Sequence, residues 1–153
     1  MVPDACFTKP ARILLAAALT AALCSCRGTT DTEKPVATPS VALAREKAPL
    51  GSPIDVTYKF VVAPDAPPFR EDYRAFVGVV DADEELMWTD DHDPPTPTTE
   101  WKPGQTVEYT RTMFVPSYPY VGAAKVATGL YTPGSNDRVR LSNPDRGDRS
   151  YTV

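Results

Sequence analysis

The stretch IDVTYKFVV, residues 54–62, decides the fold, because its side chains alternate without a break. Ile54, Val56, Tyr58, Phe60 and Val62 fall on one side, and Asp55, Thr57 and Lys59 on the other. A period of two with one apolar side describes a half-buried β-strand. Downstream, APDAPPFRED is a proline-broken loop and DYRAFVGVVD a second strand, apolar on both faces from Ala75 to Val80 as in the middle of a sheet. The polar run Asp81–Glu85 predicts a hairpin loop into ELMWTDD. Further strands follow at TVEYTRTMFV, where Val107, Tyr109, Met113 and Val115 share a face, and at GAAKVATGLY. DRVRL and RSYTV add two weaker ones. Roughly seven antiparallel strands in about a hundred residues predict an immunoglobulin-like or fibronectin-III-like sandwich over residues 50–153. A small barrel is the alternative.

APLGSPIDV and EWKPGQTVEY use one device twice, a proline-containing turn that feeds an alternating strand. In WKPGQ, Pro103 presets the first central position of a type II turn and Gly104 supplies the positive φ needed at the second. Trp101 is therefore expected to pack over an open end of the sandwich, with an aromatic ligand platform as the alternative role.

Upstream of the strands the chain reads differently. Lys9 and Arg12 precede the apolar run Ile13–Leu23, which is too short to span a bilayer and has the form of a secretory signal peptide, residues 1–25. Leu23-Cys24-Ser25-Cys26 resembles the bacterial lipoprotein signal, with a Leu three residues before the modified cysteine and a small residue just before it. Cys26 is the expected lipid attachment site, and the expected location is the cell envelope, on the periplasmic side of the outer membrane. Cys6 and Cys24 would leave with the signal, so neither a disulfide nor a free thiol would remain. Residues 26–49, rich in Thr, Pro, Ala and charge and without an aromatic residue, are expected to be a flexible tether reaching roughly 25–30 Å. A short helix over VALAREKA has nothing beside it to bury a face.

The chain carries 16 basic and 20 acidic residues, a net charge of −4, and loss of the signal makes it one unit more acidic. Phosphate recognition needs a concentrated basic face, and only the small arginine group near the C-terminus is available. Nucleic acid is therefore an unsuitable partner, and the charge would not hold the protein on an anionic membrane surface.

FVGVVDADEELMWTDDHDPPTPTTEWKPGQTVEY resembles β-sandwich modules of bacterial envelope proteins, including ones appended to membrane glycosyltransferases. Their pattern runs strand, Asp-rich hairpin, strand with a polar end, Pro/Thr loop, Trp-x-Pro-Gly, strand, and the match covers about Pro49 to Tyr131. Those modules often carry a Gly in the hairpin and a His in the preceding strand, where Glu85 and Gly78 stand here. The resemblance implies the fold and an envelope setting, and brings no catalytic residue with it.

Candidate chemistry centres on Trp88-Thr-Asp-Asp-His-Asp93, with three aspartates around the only histidine. On a strand Asp90 and His92 share a face with Trp88, and Asp91 and Asp93 take the other, so at most two ligands converge. Zinc needs three or four ligands, usually including several His or Cys. Calcium is the better metal hypothesis, with Asp81, Asp83, Asp91 and Asp93 as candidates. The plainer expectation is that these acids solvate an exposed strand end. No Gly-x-Ser-x-Gly elbow accompanies His92, and no cofactor is expected. Binding through Trp88, Trp101, Tyr118 and Tyr120, to an envelope protein or alternatively to a glycan, is the favoured function. A carboxylate-dependent hydrolase is the enzymatic alternative.

Overall fold

The alternation in residues 54–62 is realised: Ile54, Val56, Tyr58, Phe60 and Val62 are all buried. The computed structural model describes residues 32–153, which form one unit. The signal peptide, Cys26 and the first part of the tether lie outside the described residues. The strands are β1 (Ala37–Leu43), β2 (Ser52–Val62), β3 (Arg74–Val80), β4 (Leu86–Thr89), β5 (Thr106–Val115), β6 (Lys125–Tyr131) and β7 (Tyr151–Thr152). A single 3-10 turn, Thr98–Glu100, interrupts the loop before β5. They form two antiparallel sheets, β1-β2-β5 and β4-β3-β6-β7. The expected immunoglobulin-like or fibronectin-III-like sandwich is therefore the architecture, and its core lies between the sheets.

The tether expected over residues 26–49 must be corrected. Residues 37–43 are β1, paired along their full length with β2 from Ala37↔Val62 to Leu43↔Val56. Ala37 and Pro39 are buried and Val41 packs against the core, so the inward side chains alternate here too. The small residues and the proline hid the pattern. Proline is tolerated because β1 is an edge strand, where a missing N–H is lost only from the free side.

The DRVRL strand is a second correction, since residues 137–141 enter no ladder. Their backbone instead bridges the two sheets. Val139 N–H donates to the Leu130 carbonyl at 3.1 Å, Val36 N–H to the Arg140 carbonyl at 2.8 Å, and Ser142 N–H to the Ala37 carbonyl at 3.0 Å. One lateral seam of the sandwich, between β1 and β6, is thereby closed by main chain.

The WKPGQ turn forms as expected, with Gly104 at φ +76° and Gln105 N–H donating to the Lys102 carbonyl at 3.0 Å. Trp101, 3% exposed, packs against Phe60 and Phe69 at ring distances of 5.3 and 5.7 Å. Its indole N–H donates to the Thr96 carbonyl at 3.0 Å. It closes the end of the sandwich near Val62 and cannot serve as the ligand platform considered for it.

Candidate functional site

The DDHD run is not a solvated strand end. After β4 the chain stays on the edge of β3: Asp90 N–H donates to the Val77 carbonyl at 2.9 Å, and Ala75 and His92 exchange both backbone hydrogen bonds. Between them the Asp91 carboxylate takes the place of a backbone acceptor for Val77 N–H at 2.9 Å. The strand phase expected for Asp90 and His92 is kept, and it turns both inward, toward β5. The Arg111 guanidinium donates to the Asp90 carboxylate at 3.2 Å. His92 Nδ1–H donates to the Asp90 carbonyl at 2.9 Å, which leaves Nε2 to accept the Tyr109 hydroxyl proton, also at 2.9 Å. The Tyr58 ring lies 4.8 Å from His92 and 5.5 Å from Tyr109.

His92 is only 4% exposed, and burial lowers its pKa below the usual 6.5 despite the nearby aspartates. Burial likewise raises the Tyr58 and Tyr109 hydroxyls. These groups clasp the second seam, between the β4–β3 edge and β5, with side chains where the first seam uses backbone. A neutral, fully hydrogen-bonded histidine held this way is structural.

The calcium candidates are likewise accounted for. The Asp91 carboxylate also accepts the Tyr131 hydroxyl at 3.2 Å, and Asp93 pairs with Arg74 at 3.0 Å. Asp81 caps the hairpin turn, taking the N–H groups of Asp83 and Glu85 at 2.9 Å each. Asp83 is exposed beside it. Among the described residues no group of three His, Cys, Asp or Glu side chains is placed to share a metal ion.

The four candidate binding aromatics do not form one surface. Trp101 is buried at the Val62 end, and Tyr118 is half-buried in the β5–β6 connection. Trp88 and Tyr120 do come together, on a cleft of about 800 Å³ at the opposite end of the sandwich. Its floor is formed by core side chains: Ile54 from β2, Val79 from β3, the part-buried Met87 from β4, Met113 and Val115 from β5, and Val126 from β6. Its walls are the β1–β2 connection, through Arg45 and Lys47, and the β5–β6 connection, through Tyr120 to Ala124.

The cleft exists because the two ends of the sandwich are finished differently. At one end Trp101, Phe69 and Ala66 cover the core. At the other, Tyr120 stands as a wall and the aliphatic side chains of the two connections, Leu50 and Val121, stay exposed instead of folding inward. Leu43 and Leu50 are a little over two-fifths exposed at its mouth, and Val121 is 92% exposed.

Tyr120 is fixed as a wall, its hydroxyl donating to the Ala123 carbonyl at 2.8 Å and accepting from Ala82 N–H at 3.3 Å. Arg45 reaches the Pro53 carbonyl, and Lys125 pairs with Glu84, which also pairs with Arg146. Glu46 is the one carboxylate in the lining, so a two-carboxylate hydrolytic pair is not assembled there.

Sequence reasoning found two of these residues, Trp88 and Tyr120, and missed the floor. Met87 and Met113 read as ordinary core positions, and nothing local marks a core residue that borders a cleft. No protein-family model matches the chain, and no curated protein is significantly similar to it in sequence.

Proposed function

We propose that this chain is a non-catalytic binding protein of the bacterial cell envelope, anchored by acylation of Cys26, and that the cleft is where it binds. The cleft carries this proposal: an open apolar volume of about 800 Å³ lies within the range of about 300–1,000 Å³ typical of small-molecule sites. Its lining is apolar with few polar groups, which suits capture better than chemistry. The anchor is supported by the Leu-Cys-Ser-Cys sequence. It is also supported by geometry, because the described chain enters the sandwich at Val36, at the end away from the cleft. A second role, seating a protein partner over the mouth, is supported by exposed Leu43, Leu50 and Val121.

Two experiments test this. Titration with the neutral fluorophore N-phenyl-1-naphthylamine is expected to give saturable binding that Ala124→Trp, a change at an exposed wall residue, removes without lowering the melting temperature. Binding that survives Ala124→Trp would place the site elsewhere. In cell fractionation, Cys26→Ser is expected to move the protein from membrane to soluble fractions, and continued membrane retention would sink the anchor.

A further inference from the structure

We infer that the occupant of the cleft is a single-chain anionic amphiphile, a fatty acid, lying with its acyl chain on the methionine floor and its carboxylate at the basic wall. This rests on the cleft being a binding site, as proposed above.

The floor selects for an acyl chain. Ile54, Val79, Met87, Met113, Val115 and Val126 present no hydrogen-bonding side chain, and the one nearby hydroxyl, on Tyr120, is already donating and accepting. A peptide or sugar lowered onto this surface would leave amides or hydroxyls without partners, at about 2–7 kcal/mol for each fully buried group. A polymethylene chain has no such groups and gains from each methylene buried. Two unbranched methionine side chains allow the floor to follow a flexible chain without a single fixed shape.

The wall selects for a negative head. Three of the four charged residues in the lining are basic: Arg45, Lys47 and Lys125, against Glu46. In a chain of net charge −4 this is a local reversal of sign. Asp81, Asp83 and Glu85, in the adjoining hairpin, are not in the lining, and Asp81 is directed at backbone N–H groups. Lys125 is neutralised by Glu84, and Arg45 is held on the Pro53 carbonyl. Lys47 makes no hydrogen bond or ion pair among the described residues, so it is the cation free to meet a carboxylate.

The test uses the full chain, loaded with N-phenyl-1-naphthylamine and displaced by dodecanoate or by dodecanol, two probes with the same chain and different heads. Dodecanoate is expected to displace the fluorophore about two- to five-fold more effectively at low salt, a margin of the size an exposed ion pair supplies. Lys47→Glu is expected to erase most of that margin while leaving dodecanol and the melting temperature unchanged. Equal displacement by the two probes, with fluorophore binding intact, would overturn the anionic head and leave the binding site standing. Failure of dodecanoate to displace a bound fluorophore would overturn the acyl ligand. Absence of fluorophore binding altogether would remove both the site and its proposed occupant.

Discussion

At the scale of single residues, His92 shows most clearly how position outweighs composition. Flanked by three aspartates, it reads as a ligand or a solvated charge, yet it is held neutral between a backbone carbonyl and a tyrosine hydroxyl. The local sequence carries the strand phase of Asp90 and His92 and says nothing of Tyr109 and Arg111, which lie about twenty positions away and supply the burial. Tyr109→Phe would leave Nε2 an acceptor without its donor, and is expected to cost about 1–3 kcal/mol by urea denaturation. The histidine also links stability to pH. Its folded-state pKa is lowered, so the unfolded chain takes up the proton more readily. The stability it contributes is present above its ordinary value of about 6.5 and is lost as the pH falls below that toward the lowered folded value. Comparing urea midpoints at about pH 7 and pH 5.5, His92→Gln is expected to flatten this loss. An unchanged slope would show that other groups govern it. Gly129 offers a contrast in mechanism. A Cβ there would stand 2.8 Å from the Arg149 carbonyl, so Gly129→Ala is expected to displace the C-terminal segment and cost about 1–3 kcal/mol.

At the scale of elements, the strands with large apolar side chains were legible and the others were not. β2 and β5 announce themselves through alternating apolar side chains, and β3 and β6 through short apolar runs as in the middle of a sheet. β1 does not, because its inward residues, Ala37, Pro39 and Val41, are small and are buried by the size of their neighbours. DRVRL has the alternation of a strand, but its hydrogen bonds go to two different partners and it never forms a ladder. A practical consequence concerns where the folded domain begins. A chain truncated to start at Pro49 loses β1 and bares the edge of β2, and an exposed apolar edge of that length invites pairing with other chains. We expect it to aggregate or to lack a cooperative thermal transition, whereas a chain starting at Thr32 melts cooperatively. Equal melting of the two would show that β1 contributes little to the fold. The cleft belongs to this scale as well. It depends on the aliphatic side chains of two connections staying exposed at the same end, a coincidence in space that no single stretch of sequence displays.

At the scale of the whole molecule, the sandwich has two unlike seams and two unlike ends. The β1–β6 seam is closed by backbone hydrogen bonds through residues 138–142, and the other by Asp90, His92, Tyr109 and Arg111. One end is sealed by Trp101 over Phe60, and the other opens as the cleft over Ile54, about 20 Å away along six residues of β2 at roughly 3.3 Å each. Because β1 begins within what reads as a tether, Val36 stands only ten positions after Cys26. A flexible linker of that length has an r.m.s. reach of about 17 Å, which is shorter than the sandwich itself. With the anchor proposed at Cys26, inserting a flexible segment after Thr32 is therefore expected to leave ligand affinity unchanged while increasing the distance of the cleft from a lipid surface, readable by energy transfer between the two. The direction in which β1 runs also decides how the protein answers a pull. With the N-terminus held and something gripped in the cleft, tension acts along the axis of β1, and its seven paired positions against β2 resist together in shear instead of parting one after another like a zip.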